Sequence, residues 1–533
     1  MQTQTHNKNT KVLIIGAGPS GLMMACQLAL RNIPFRIIDK KDQRTNYSGA
    51  LIIQARSVEI FHQMGIAQTA IHKGIIANEI KIIFNGKKSF RVPIKNIGQG
   101  LTQFPYLLML EQSKTEQLLI DFINNYGYSV ERKTELQDFT QDKDVVTSIL
   151  KLANGKEETI KTKYLIAADG GHSTVRKQLH IPFVGKTHRI SLFVTDCKAE
   201  INLPSDAICF SFSNATTAGF FPLTDGRWRV DGAIPRELEA KDTLKFDDIE
   251  KNFAAKTRMK VKIYEPQWFS VFHSHQRYAS SFQQNRCFLL GDAAHIHSPV
   301  GAQGMNTGLQ DAYNLAWKLA LVIQKQAKAS LLDTYTSERV GIAKNVVRST
   351  DKVFNLVTSR NFFIKIFRVY AVPLIMQLVL PIIEKQKVIR HFFFIKISEI
   401  GIQYRKSPLS HRASLGNFPS HAPKPGDRLP YILYNEDGKE VNIQEKVKGT
   451  GFHLFIFTKH TSPDEIIRVA ENYTHLLSIE TIPYTSETSY VYVRLGIENS
   501  GCYLIRPDMY IAYRSDKPEA EHFESYLQQF LNV

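Results

Sequence analysis

Three carboxylates, Asp39, Asp169 and Asp292, each stand at or just beyond the end of a short apolar run, and glycine turns recur around them. An acid at a strand end accepts hydrogen bonds from hydroxyls, so it suits a ribose or a longer polyol. The glycines add phosphate chemistry. GAGPSG at 16–21 sets Gly16, Gly18, Pro19, Ser20 and Gly21 between an apolar run at 11–15 and an alanine- and leucine-rich helical pattern at 22–30. Gly16 permits the tight turn, Gly18 admits a pyrophosphate to the backbone, and Gly21 lets helix pack on strand. The helix N-terminus then turns N–H groups and a positive dipole end toward the phosphates. A second apolar run at 35–38 ends in Asp39 and Lys40, the distance at which an acid reaches a ribose diol.

Later motifs decide which dinucleotide this is. An apolar run at 163–167 delivers Asp169, Gly170, Gly171, His172 and Ser173 into a turn, and another at 287–290 delivers Gly291 and Asp292. Asp292 is placed for the ribityl hydroxyls of a flavin. Pro299, Gly301, Gly304, Met305 and Asn306 then open a helix whose apolar residues recur at helical spacing. Its positive end would face the anionic pyrimidine edge of a reduced flavin ring. The expected cofactor is therefore FAD.

In this order and at these separations the motifs resemble the class A flavoprotein monooxygenases, the family of p-hydroxybenzoate hydroxylase and phenol hydroxylase. GDAAHIHSPVGAQGMNTGLQDAYNLAWKLAL at 291–321 is especially similar, and LLDTYTSERV at 331–340 continues the match. The resemblance implies an α/β fold: a Rossmann-like FAD-binding domain of the p-hydroxybenzoate hydroxylase type, an inserted antiparallel β substrate domain, a helical linker and a thioredoxin-like C-terminal domain. It places Arg56 against the FAD phosphates, Gln112 near the FAD ribose, and Asp169 at both FAD and the nicotinamide coenzyme. It implies that NADPH or NADH reduces the flavin, that oxygen adds to it, and that a flavin hydroperoxide hydroxylates a small phenolic or polycyclic aromatic substrate. The chain has no second GxGxxG, in keeping with a coenzyme that binds transiently. Gly49 stands where many relatives have an arginine, with Arg44 nearby, and Leu51 where phenol hydroxylases have an acid, so no catalytic base is assigned. A flavin oxidoreductase on the same scaffold that reduces or desaturates its substrate, with membrane association open, is the alternative, and a non-catalytic binder or membrane-associated accessory protein a further one.

These motifs must be held by elements far apart in sequence. The expected FAD domain comprises 1–75, 104–180 and 282–350; strand-like segments at 76–103 and 181–281 form the substrate domain, where Phe210, Phe212, Phe220 and Trp228 are candidate pocket walls. Residues 351–412 form a helical connector and 413–533 the C-terminal domain. There Lys459, His460 and Thr461 stand where a redox cysteine pair would be. Without a dithiol it cannot exchange disulfides by the usual route, which leaves packing or homodimer formation.

The chain has 533 residues, 43% of them apolar, which is ample for several cores. Its charge of +17 is spread along the sequence without a nucleic-acid motif, so no nucleic-acid partner is expected; steering of anionic ligands is a modest extra. The five cysteines are scattered and read as reduced thiols of a cytoplasmic protein, and with no leader pattern ahead of the first strand secretion is not expected. His295 and His297 share a metal-ligand spacing, but further ligands are not marked nearby, so no metal is expected. The apolar run at 362–383 is interrupted by Lys365, Arg368, Pro373 and Pro381; a buried helical pair is expected rather than membrane contact, with an interfacial amphipathic helix as the alternative.

Overall fold

The apolar run at 11–15 has no polar face to offer solvent, and it becomes Val12–Ile15, a fully buried strand inside a six-stranded sheet. This computed structural model describes residues 10–44, 49–239, 241, 243–298, 301–359, 361–460, 463–517 and 519–532. Pro299 and Thr461 therefore lie outside the described residues. The sheet runs Gln283–Gln284, Cys287–Leu289, Tyr164–Ala167, Val12–Ile15, Phe35–Asp39, Val130–Arg132, parallel except at the Gln283 edge. Strands buried on both faces read as continuous apolar runs, which is why they were recognisable without alternation. The carboxyl ends of the four apolar runs at 11–15, 35–38, 163–167 and 287–290 thereby converge at one edge.

An eight-stranded sheet draws on separate segments: Glu79–Phe84 and Lys88–Pro93, then Phe183–Ile201, Ala207–Phe212, Thr217–Pro222, Trp228–Ala233 and Val261–Ala279, closed by His295–Ile296. It is mainly antiparallel, with one parallel pair between Glu79–Phe84 and Ala207–Phe212. Successive side chains on a strand point to opposite faces. Cys209, Phe220, Trp228 and Val230 point to one face and pack with Phe193 against Phe246, Ile249 and Phe253 of the helix Phe246–Thr257. This corrects the expectation for Phe220 and Trp228: both fill that core. Their neighbours Phe221 and Arg229, with Phe210, Phe212 and Asp231, occupy the other face and line a cavity.

The helices Gly304–Ile323 and Asp333–Thr358 follow, the first buried along nearly its whole length. Beyond them Phe362–Ile383 and Lys387–Ile397 form a helical pair that is not the buried connector expected from its composition. Phe363 and Val388 are each 78% exposed and Leu378 is 74% exposed. The pair is nevertheless fixed. The Arg368 guanidinium donates to the Leu356 carbonyl (3.0 Å), His391 to the Gln99 carbonyl (3.0 Å), and Phe394 fills the space that a side chain at Gly98 would need.

The C-terminal segment builds a five-stranded mixed sheet in the order Ser414–Leu415, Ile511–Ser515, Gly501–Ile505, Phe452–Thr458, Leu477–Pro483. Phe452–Thr458 runs parallel to Leu477–Pro483 and antiparallel to Gly501–Ile505. Its core is continuous with the long helix: Trp317 meets Phe452 edge-on at 5.6 Å. Beside that contact lies a buried ionic cluster, where Glu338 accepts from Lys318 Nζ (2.8 Å) and from both Arg506 nitrogens (2.7 and 3.0 Å), and Arg506 also pairs with Asp508. Burial alone would raise the Glu338 carboxyl, but Arg506 and Lys318 outweigh it and hold the group well below the usual carboxylate range.

Candidate active site

The first turn shows three glycines at work for three reasons. Gly16 has φ +100°, and a Cβ there would lie 2.3 Å from the Ala168 carbonyl oxygen. At Gly21 a Cβ would lie 2.0 Å from the Gly16 oxygen, so helix Pro19–Ala29 could not seat on the turn. A Cβ at Gly18 would meet nothing within 4 Å, because Gly18 faces open space. Ser20 lies in the crossing with the long helix, in room left by Gly291 and Gly308. No side chain caps either this helix or Gly304–Ile323, and the first residues of both line the same cavity.

That cavity measures about 1470 Å³. Small-ligand pockets usually hold roughly 300–1,000 Å³. The space is therefore sized for more than one ligand, and its lining comes from both large sheets. Of the residues expected at the cofactor, Gly16, Gly18, Pro19, Ser20, Asp39, Lys40, Gln112, Asp169, Gly170, Asp292, Gly301, Gly304 and Met305 line it.

Asp39 accepts from the Ala17 N–H (2.8 Å) through one oxygen and from the Lys41 N–H (2.9 Å) through the other, which fixes the carboxylate at the turn. Asp169 accepts from the Thr174 N–H through Oδ2 (2.8 Å), while its buried Oδ1 has no protein partner. Burial raises the Asp169 carboxyl despite those N–H bonds. Asp292 opens onto the cavity, and its surroundings likewise raise its pKa. Gln112 takes the Ala50 N–H on its oxygen (3.1 Å) and donates to Glu116 (2.9 Å). An orphaned acceptor at Asp169, an open glycine at Gly18 and two uncapped helix starts together fit a phosphate-bearing dinucleotide with a polyol chain.

Three expected cofactor contacts are corrected. The Arg56 guanidinium is fully buried away from the cavity, donating to Glu59 (2.9 Å) and to the Asp508 carbonyl (2.8 Å) and lying against the rings of Tyr313 and Tyr510. The cations that do line the cavity near the first turn are Lys40, Lys41, Arg44 and Arg132. Asn306 is also buried: its oxygen accepts from the Gln54 N–H and its amide donates to the carbonyls of Ile52 and Ala302, each at 2.9 Å. It ties the strand end near Ile52 to the start of the long helix. Gly21 likewise acts in packing and does not reach the cavity.

Several site residues were missed. On the strand Trp228–Ala233, Arg229 and Asp231 alternate onto the cavity face. Arg229 is held by both oxygens of Asp196 (2.8 and 2.9 Å), which also accepts from the Trp268 indole (2.8 Å). Burial raises the Asp231 carboxyl to about 6, although the Gly219 backbone N–H and Arg229 favour its charged form. The polar alternation in RWRVD was the available signal.

The two histidines separate. His295 Nε2 pairs with Asp311 (2.7 Å), which also accepts from Arg339 and the Gly291 N–H. His297 lines the cavity, and its Nδ1 donates to the Ser298 carbonyl (2.9 Å), leaving Nε2 unprotonated and without a protein partner. Burial, then His295, lowers its pKa to about 4, so the ring is neutral at ordinary pH. Among the described residues no group of three side chains is arranged to hold a metal.

A family described as FAD binding domain matches residues 9–350. A 6-methylpretetramide 4-monooxygenase from Streptomyces rimosus is 30% identical over 97% of this chain and 93% of its own. Among solved structures, aklavinone-11 hydroxylase, in a ternary complex with FAD and aklavinone, superposes with a TM-score of 0.80 at 22% identity, covering 99% of both chains. An anhydrotetracycline hydroxylase from Streptomyces rimosus gives 0.77 at 23% identity, covering 98% of this chain and 99% of the other. The two structural likenesses establish a shared mixed α/β fold.

Proposed function

Since the chain belongs to the FAD-dependent aromatic monooxygenases, we propose that it uses NADPH or NADH and oxygen to hydroxylate a phenolic substrate of several fused rings. The observation that carries this reading is one continuous space lined at one end by the glycine turn and by Asp39, Asp169 and Asp292, and at the other by an aromatic sheet face. The relatives named above act on 6-methylpretetramide, anhydrotetracycline and aklavinone, in keeping with a large apolar substrate.

In this reading the turn from Gly16 to Ser20 holds the FAD pyrophosphate, Asp39 the ribose, Asp169 and Asp292 the polyol chain, and the segment from Gly301 to Met305 the ring edge. Bound there, FAD supplies the oxygen transfer. The chain supplies position, dryness and proton control. Phe210, Phe212, Phe221 and Phe272 offer flat apolar contact to fused rings and keep water from the reacting end. Asp231, on the same face, accepts the phenolic proton, and Arg229 beside it steadies the negative charge left on the ring oxygen. His297 Nε2 offers a fixed acceptor to a substrate hydroxyl.

The domain plan accompanies this proposal: 1–75, 104–180 and 282–350 hold FAD; 76–103 and 181–281 roof the substrate; 351–412 connect. The order and directions of the C-terminal strands support a thioredoxin-like unit at 413–533. With Cys502 buried in a strand and no dithiol, its role is packing.

The test is oxidation of NADPH and NADH by the FAD-loaded protein in air, with candidate phenols and polycyclic aromatics and with product mass recorded. A product heavier by one oxygen, labelled from molecular oxygen, is the expected result. Coenzyme consumption with a reduced or desaturated product would replace hydroxylation by the oxidoreductase alternative.

A further inference from the structure

The helical pair at 362–397 presents the largest concentration of exposed apolar side chains among the described residues. Phe363, Phe367, Tyr370, Leu374, Leu378 and Ile382 follow one another at intervals of three and four, so they form one stripe along the first helix. Val388 and Phe392 extend the apolar surface on the second helix. A contiguous patch of this kind on a folded surface marks a contact with something apolar. The anchoring of Arg368, His391 and Phe394 to the body shows that the stripe is turned outward while the pair stays docked.

Charge selects the occupant. The segment carries six Lys or Arg residues against one acidic residue, and Lys385, Lys387 and Lys396 are exposed around the apolar side chains. Apposing this surface to a second copy would bring like charges together in a molecule that already carries +17. An anionic lipid surface satisfies both features, since apolar side chains enter the acyl boundary while lysines meet the headgroups. The first helix is long enough to span a bilayer. Arg368, buried in its middle and bonded to backbone carbonyls of the preceding segment, holds it against the protein instead.

The patch is also continuous with the cavity. Phe393, 42% exposed, and Ile397 of the second helix both line it. We propose that the helical pair at 362–397 docks the protein on an anionic membrane surface, with the substrate cavity opening toward the lipid. Apolar substrates dissolved in the bilayer then reach the aromatic sheet face without crossing bulk water. The docking stands on the surface alone and does not depend on which reaction the site performs.

The test is flotation of the full-length, FAD-loaded protein with vesicles of phosphatidylcholine alone or mixed with phosphatidylglycerol. Binding to the anionic vesicles, weakened by added salt, is expected. Each basic residue near an anionic surface is worth about fivefold, so combining Lys385→Glu, Lys387→Glu and Arg390→Glu should lower binding at least roughly a hundredfold. Combining Phe363→Ser, Leu378→Ser and Val388→Ser should lower it by more than about tenfold, with the melting temperature and flavin content unchanged.

An independent reading comes from Leu378→Cys carrying an environment-sensitive dye. The five native cysteines are buried, so the label is selective. A blue shift on anionic vesicles supports insertion, and unchanged emission overturns it. Absence of vesicle binding would also overturn the proposal, as would binding indifferent to the apolar substitutions. If those substitutions instead convert a dimer to a monomer without any vesicle binding, the face belongs to a second copy.

Discussion

Asp231 is the residue whose titration should be visible in turnover. Its carboxyl, raised by burial to about 6, becomes a proton acceptor only above that pH. In the wild type kcat/KM should therefore rise with pH through about 6, and in Asp231→Asn it should lose that limb and fall by roughly 10²–10⁴-fold. Stability should move the opposite way. A carboxyl whose folded pKa exceeds its ordinary 3.8 costs stability as pH rises between the two values. Thermal melts should accordingly show Asp231→Asn more stable than wild type near pH 8 and no more stable near pH 3. Arg56 is the complementary case. Its guanidinium bonds to Glu59 and to the Asp508 carbonyl rather than to the cavity, so Arg56→Ala should lower the melting temperature and leave FAD affinity of the folded protein nearly unchanged. Arg44, which lines the cavity, should when changed to Ala weaken FAD retention by about tenfold in an equilibrium titration. The sequence could not reveal this difference, because the carbonyl that claims Arg56 lies 452 residues further along the chain.

At the scale of elements, the strand–turn–helix unit around Gly16 was legible because its constraints are local: an apolar run, a turn that a Cβ would block, and a helix start. The faces of the substrate-side sheet were not. Phe220 and Phe221 are adjacent and chemically alike, and only their register with Cys209, Val230 and Arg229 decides which one meets the cavity. The pleat then makes a sharp forecast. Phe220→Ala should destabilise the fold by about 3–5 kcal/mol in chemical denaturation, since it empties a site among Phe193 and Phe253, while leaving KM of the folded enzyme little changed. Phe221→Ala should reverse that pattern, raising KM for an aromatic substrate with a smaller loss of stability. The helical pair at 362–397 shows the converse limit of reading composition: apolar residues ordinarily indicate burial, yet here they face outward, and only the packed structure distinguishes the two.

Across the whole molecule, the C-terminal sheet is joined to the flavin-binding half by the buried group of Lys318, Glu338, Arg506 and Asp508. Residues of the helices Gly304–Ile323 and Asp333–Thr358 and of the C-terminal stretch at 506–508 had to meet before this cluster existed, so no local pattern announced it. Glu338→Gln removes the anion between Lys318 and Arg506 and should cost about 3–5 kcal/mol, read as earlier denaturation of the full chain. The wild-type contribution is fully present above the ordinary carboxylate value of 4.5 and is lost as pH falls below it, so the difference between wild type and variant should shrink in acid. The placement of sulfur has a consequence of a different kind. Cys26, Cys197, Cys209, Cys287 and Cys502 are all buried, and burial pushes the thiols of Cys197, Cys209, Cys287 and Cys502 up to about 12 and that of Cys26 well above its ordinary value. Sulfenic acid formation needs an accessible thiolate, and none is offered. An oxidant formed in the cavity thus finds no reactive cysteine, and the sulfur it would meet in the cavity wall is the thioether of Met305.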